Sequence, residues 1–198
     1  SRSYNPSILN SAQYAVAGSA SGLNKTYSAN KSARRFRRIA GGGGECRNDA
    51  TTQQIWAYLT TKLGMSEAAA AGVMGNMEQE SGCDIDLHQS GGSAYGLCQW
   101  DGGRKSELMS RPGYNTLAVQ LEYLSEELPS QYWKKSGTIN DKDGKSYSYS
   151  SMTYEQFKAL TDVATATIKF EAAFERAGKP MMAKRISYAK RFYEMFTG

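Results

Sequence analysis

Apolar side chains recur at helical spacing only from about residue 51 onward, and there they come in well-punctuated blocks. Thr51 followed by Gln54 is a capping-box pairing, after which Ile55, Leu59 and Leu63 share one face and Gly64 closes the helix. Ser66 is a good N-cap for a second helix, with Glu67 favourably placed in its first turn. That helix is predicted to run to Ser81, where Gly82 stops it, and to bury Ala69, Ala70, Val73, Met74 and Met77. Leu117, Leu121, Leu124 and Leu128 mark another helix, ended by Pro129. Val163, Ala166, Phe170, Ala173 and Ala177 mark the next, ended by Gly178, and Met182, Ile186, Ala189, Tyr193 and Phe196 the last.

Between these blocks the pattern fails in two places. Gly82, Gly91, Gly92, Gly96, Gly102 and Gly103 break any helix over residues 82–103, and the mixed run from Ala94 to Trp100 predicts a loop with a small, distorted hairpin. A long loop inside a compact domain is usually functional. Residues 134–152, rich in Lys, Ser and Tyr, carry Asp143-Gly144 as a turn signal and predict an exposed hairpin or loop. The expected class is mainly α, of the α+β kind, with a hairpin or loop lining a cleft. No internal repeat is visible, and a core of about 150 residues buries roughly 68–70% of its unfolded surface without needing a staple.

Residues 1–44 show no sustained apolar period; they end in the basic cluster Arg34-Arg35-Phe36-Arg37-Arg38 and four glycines, Gly41 to Gly44, which read as a hinge. The expected division is therefore a flexible basic Ser/Gly-rich segment, 1–47, and a folded domain, 48–198. Charge follows the same division. Residues 1–47 hold eight basic side chains against one acid, whereas 48–198 hold 16 against 18. A nucleic-acid-binding domain would spread a basic face over its folded part, so nucleic acid is not the expected target of the main domain. The basic cluster is either a solvated segment or a docking element for anionic wall polymer, lipid or a partner protein.

Few other chemistries are open. Three cysteines, Cys46, Cys83 and Cys98, are too few for a disulfide scaffold; Cys83 and Cys98 flank one loop and could bridge, but small buried or idle thiols are the simpler reading. With His88 the single histidine, no paired Cys/His spacing exists for zinc, and a Ser-His-Asp or Cys-His enzyme would have only that one candidate base. No metal or cofactor is implied. No apolar run approaches the roughly 18 residues of a membrane-spanning helix, and because the chain opens on Ser1, a leader or anchor could have been removed.

Glu80 stands out for its position. It follows Met77 by three residues and Val73 by seven, extending one edge of the apolar stripe at the C-terminal end of its helix. Partial desolvation near the negative end of a helix dipole should raise the pKa of a carboxyl group there, which a general acid needs in order to hold a proton for a glycosidic oxygen. The adjoining loop offers Tyr95 and Trp100 as flat faces for sugar rings and Gln99 as an amide for hydroxyls or acetamides. Periodicity leaves plainer readings open: Glu80 as a solvated surface residue, Glu78 as a rival on the other flank, Tyr95 and Trp100 as core aromatics.

The segment from Gly72 to Gly82, followed by Tyr95-Gly96-Leu97-Cys98-Gln99-Trp100 and Gly102-Gly103-Arg104, resembles the phage tail lysozyme family, related to goose-type lysozymes and soluble lytic transglycosylases. The resemblance covers roughly residues 50–198. In those relatives a Glu-Ser pair ends a helix and a Gly-Leu-x-Gln turn follows. Glu80-Ser81 and Gly96-Leu97-Cys98-Gln99 match, whereas Glu78 does not precede a serine. The resemblance implies a lysozyme-like fold and a muramidase cutting the MurNAc-GlcNAc β-1,4 bond of peptidoglycan, without a cofactor. Glu80 would be its acid, and Ser81, Tyr95, Gln99 and Trp100 would form the substrate-binding set. It implies work at the cell wall or on a virion tail. Outside the resemblance, residues 1–47 are expected to meet other tail or cell-wall-machine proteins, and a further domain could follow Gly198, where the last helix ends. A second carboxylate would come from Asp84, Asp86 or Asp101, and no motif singles one out. The alternatives are a lytic transglycosylase making 1,6-anhydro products and a non-catalytic peptidoglycan-binding or structural tail module.

Overall fold

A computed structural model describes residues 46–198 of the chain, so the basic cluster and the glycine run lie outside the described residues. Helix α1 (Ala50–Ala57) runs on into a single π-helical turn, Tyr58–Lys62. Its capping box is built by Asp49 and Thr52, two residues earlier than the predicted Thr51–Gln54 pairing. Asp49 caps because it stands in extended backbone just before the first helical residue and accepts the Thr52 N–H.

Helix α2 (Glu67–Ser81) is bounded as predicted: the Ser66 hydroxyl accepts from Ala69 N–H, and Gly82, at φ 60°, ends the helix in the left-handed region that glycine tolerates. It is not one-sided, however. Every residue from Ala68 to Glu78 is buried, so α2 is the central rod of the domain. It packs on α6 (Val163–Phe170) and α7 (Met182–Thr197), which also pack on each other. Two glycines make the approach possible. A Cβ on Gly72 would stand 2.8 Å from the Thr167 backbone nitrogen, and one on Gly75 would stand 2.5 Å from the Arg185 carbonyl oxygen. The backbone of α2 thus touches the backbones of both neighbours. An alanine at either glycine would push the helices apart.

Around this core sit α3 (Gly102–Met109), α4 (Leu117–Glu127), a 3₁₀ turn (Gln131–Lys134) and the short α5 (Tyr154–Lys158). Helix α3 begins at glycines expected to break helices, because Asp101 caps it. Strands β1 (Gly137–Asn140) and β2 (Ser146–Tyr149) pair antiparallel, with Gly137 opposite Tyr149, and turn through Gly144 at φ 80°. This is the hairpin predicted from Asp143-Gly144, and the buried Lys169 pins it by donating to the carbonyls of Lys135 and Ser150.

Helix α6 passes into a second π turn, Glu171–Glu175, and the chain reverses at Arg176, at φ 49°, rather than at Gly178. The buried face of α7 is displaced from the predicted stripe: Arg185 and Phe192 are buried, whereas Tyr193 is exposed. Of the described residues 56% are helical, and they hold one small antiparallel sheet, which places the domain in the mainly-α, α+β class expected of a lysozyme-like fold. No helix among the described residues is long and apolar enough to cross a membrane.

One disulfide joins Cys46 to Cys83, with Cα atoms 5.5 Å apart, and Cys98 is a buried free thiol. The simpler reading of buried, idle thiols thus holds for Cys98 alone, and the pairing of Cys83 with Cys98 gives way to a long-range bridge. It ties the chain's entry into the domain to the end of α2.

Candidate active site

Glu80 sits in the last turn of α2 on the floor of a cleft of about 750 Å³. Its Oε1 is 2.6 Å from Nη2 of Arg185, a guanidinium only 2% exposed. Helical spacing predicts an apolar margin around Glu80; the structure instead sets a buried cation against it. Arg185 is held on its other sides as well, donating from Nε to the Pro180 carbonyl and from Nη1 to Oδ1 of Asn76, 3.0 Å away. Asn76 is fully buried and donates in turn to the carbonyls of Gly72 and Thr167. A continuous run of hydrogen bonds thus joins α6, α2 and α7 and ends on the Glu80 carboxylate. Side chains locked this way orient a reacting group without entropy left to lose.

The glycine-rich loop forms the adjoining wall. Tyr95 and Trp100 exchange backbone hydrogen bonds of 2.9 Å each, and a second bridge joins His88 to Tyr95, so the expected small hairpin is reduced to isolated bridges. Gln120, buried on α4, fastens this loop: its Oε1 accepts from Leu97 N–H, and its amide nitrogen donates to the carbonyls of Ile85 and Tyr114. Gly96 lies against it, where a Cβ would stand 2.9 Å from the Gln120 Oε1.

Of the expected substrate-binding set, Gln99 lines the cleft. Its backbone is held at φ 51° and its amide nitrogen is spent on the carbonyls of Leu87 and Gly96, so Oε1 is the atom it offers a ligand. Ser81, Tyr95 and Trp100 are buried and do not line it. The Ser81 hydroxyl donates to the Leu97 carbonyl at 2.7 Å, tying the end of α2 to the loop. Tyr95 packs on Tyr114 and donates to Asp86, while Trp100 packs on Tyr123 and donates to Glu127. Both rings are core aromatics in this structure, because loop and α4 close over them. They support the loop that carries Gln99.

The three aspartates also separate. Asp84 is buried and accepts from the Asp86 N–H, and Asp86 takes the Tyr95 hydroxyl. Asp101 alone of the three lines the cleft; bound by the Ser93 hydroxyl and the Gly102 N–H, its carboxyl is held below the ordinary aspartate range.

The family model described as phage tail lysozyme matches residues 50–196, the span that builds α1 through α7 and the whole cleft. The chain belongs to the phage tail lysozyme family. No curated protein matches it. Membership implies a glycosidase-type enzyme of lysozyme-like peptidoglycan degradation, at home on a virion tail.

Within this family member the rival acid is plainly placed. Glu78 is 2% exposed at its side chain, paired with Arg191 of α7, and accepts from the Cys46 N–H at 3.3 Å. It faces the disulfide, not the cleft. Pattern reasoning misses Arg104, Glu175 and Arg185, all of which line the cleft. Arg104 is fixed by both carboxylate oxygens of Glu127 and lies 4.6 Å over the Phe174 ring. The Gly102-Gly103-Arg104 match is the only signal that could have found it; a charged residue one step off an apolar stripe, such as Arg185, carries none. Among the described residues, no cluster of three His, Cys, Asp or Glu side chains is placed to hold a metal ion.

Proposed function

We propose that this chain is a muramidase that cuts the MurNAc-GlcNAc β-1,4 bond with Glu80 as proton donor. The observation that carries the reading is that Glu80, of the two acids near the end of α2, is the one on the cleft floor, and it ends a hydrogen-bonded run through the buried Arg185 and Asn76. A guanidinium at 2.6 Å stabilises the carboxylate left behind once the proton has gone to the leaving oxygen. Donation is then favoured by the state it produces. The Gln99 Oε1 supplies an acceptor for a sugar hydroxyl or acetamide N–H. Arg104, Lys142, Arg176 and Lys179 line the cleft and suit a polymer whose stem peptides carry carboxylates. Residues 1–47 are proposed to serve docking on tail proteins or wall polymer.

Glu80→Gln keeps the shape and removes the proton. It is expected to lower turnover of purified walls by a factor on the order of 10²–10⁴, the usual contribution of a general acid, with the fold retained. Full wall clearing by that variant would overturn the assignment. Mass spectrometry of the digest then separates reducing-end products of hydrolysis from the anhydro products of a transglycosylase.

A further inference from the structure

A glycosidase that donates a proton to one oxygen also has to accept one from the oxygen that attacks. Asp84 and Asp86 are engaged away from the cleft, and Asp101 is exposed on its rim, held by Ser93 and the cap of α3. Glu175 is placed differently. It is the last residue of the π turn that continues α6, a kind of irregularity that recurs at functional sites because it re-aims side chains. The reversal at Arg176 follows immediately, and both residues line the cleft with Glu80. The Glu175 Oε1 is shut off from solvent and finds no hydrogen-bond partner among the described residues. A buried carboxyl oxygen without a partner is costly and rare in native structures, and a catalytic role is one of the reasons it is kept.

The groups that face Glu175 are Glu80 from α2, Arg185 from α7, Arg104 from α3, Glu171 from its own turn and Cys98 from the loop. Burial pushes the Glu175 carboxyl well above the ordinary glutamate range; the Glu80 charge adds to this, and Arg185 and Arg104 pull the other way without prevailing. Burial thus favours the protonated form of Glu175, while the Glu80 carboxylate faces Arg185.

We infer that Glu175 is the second carboxyl group of the reaction, forming with Glu80 an acid–base pair that carries a single proton. This rests on the reading of Glu80 as the acid. In the loaded cleft the proton is on Glu80, which gives it to the glycosidic oxygen as the C1–O bond breaks and its electron pair leaves with that oxygen. Ionised Glu175 takes the proton from the attacking hydroxyl, of water or of the sugar's own C6, as the new C1–O bond forms. The cycle ends with Glu80 ionised on Arg185 and Glu175 protonated. The proton returns from Glu175 to Glu80 before the next cleavage, so the pair is unchanged overall.

The test uses Glu175→Gln and Glu175→Ala in the full chain, assayed on purified peptidoglycan across pH and with added formate. Both variants are expected to lose kcat by a factor on the order of 10² or more, the scale of general-base catalysis, with KM little changed. The acid limb of the pH–rate profile should disappear, because the base whose ionisation it reports is gone. Formate should restore activity to the Ala variant, where it fills the space left by the carboxyl. The Gln variant, isosteric with the protonated carboxyl, guards against misfolding as the cause. Undiminished activity would overturn the inference, and so would a loss that formate does not relieve and that leaves the pH profile unmoved. A silent Glu175 beside an inactive Glu80→Gln sinks only this inference, whereas an active Glu80→Gln sinks the assignment of the acid itself.

Discussion

Helices α2 and α7 are joined by two Glu–Arg pairs of opposite character. Glu78 and Arg191 close around the Cys46 backbone, Glu78 accepting its N–H and Arg191 donating to its carbonyl, beside the Cys46–Cys83 bridge. Every partner in that group is structural. Glu80 and Arg185, two residues and six residues away along the same helices, end in a cleft instead, with a protonatable Glu175 and the open face of Gln99 nearby. The chemistry of each pair is the same. What differs is what surrounds it: backbone and disulfide on one flank, cleft on the other.

That contrast is broken most directly by exchanging each glutamate for glutamine. Glu80→Gln is expected to lose activity by the factor on the order of 10²–10⁴ already given for a general acid, a loss far beyond the stability it gives up by leaving the buried Arg185 short of its partner charge. Glu78→Gln should do the reverse. It strands part of the Arg191 charge and weakens the hold on Cys46, costing about 2 kcal/mol of stability once the one-third exposure of Arg191 is discounted. Turnover per folded molecule should stay near the parent value. Denaturant titration beside wall-clearing assays reads both axes, and if each variant lost both properties in proportion the two flanks would not be separable.

Removing the bridge sharpens the same division. Cys46→Ser with Cys83→Ser frees a loop of 37 residues. The chain-entropy model puts that at roughly 4 kcal/mol of lost stability. Activity of the folded fraction should be retained, because the bridge meets α2 beyond Glu80 and on the flank away from the cleft. A double variant as stable as the parent would show that the Glu78–Arg191 clamp holds the entry segment unaided.

How much of this could be read from the residues follows the same physics. The boundaries of α2 were legible because Ser66 and Gly82 are local devices whose action needs only the neighbouring turn. The hairpin was legible from Asp143-Gly144 for the same reason. Helix α3 was not, since two glycines at its start outweigh a single capping aspartate in any count of propensities. The buried face of α7 was misplaced by one step because its core position is taken by Arg185, which a hydrophobic pattern passes over. Glu80 was found by its position beside Ser81. Its environment was not, because Arg185 lies 105 residues away in sequence. Glu175 was hidden by a π turn, which adds a residue to the helical count and rotates everything beyond it.

The last expected effect concerns pH and returns to the cleft flank. Burial raises the carboxyl groups of both Glu175 and Glu171 above the ordinary glutamate range. An acid whose folded pKa is raised binds more protons in the native state than in the unfolded chain, so stability falls as pH climbs from the unfolded value of about 4.3 toward the folded one. Below that window both states are protonated and nothing changes. Glu175→Gln cannot ionise, so it should match the parent in urea titrations at pH 4 and become progressively the more stable of the two as pH rises through the window. A gap that stayed constant with pH would mean that Glu175 ionises as freely folded as unfolded. In that case the cleft flank would carry no stored electrostatic cost, and it would be as settled as the clamp around Cys46.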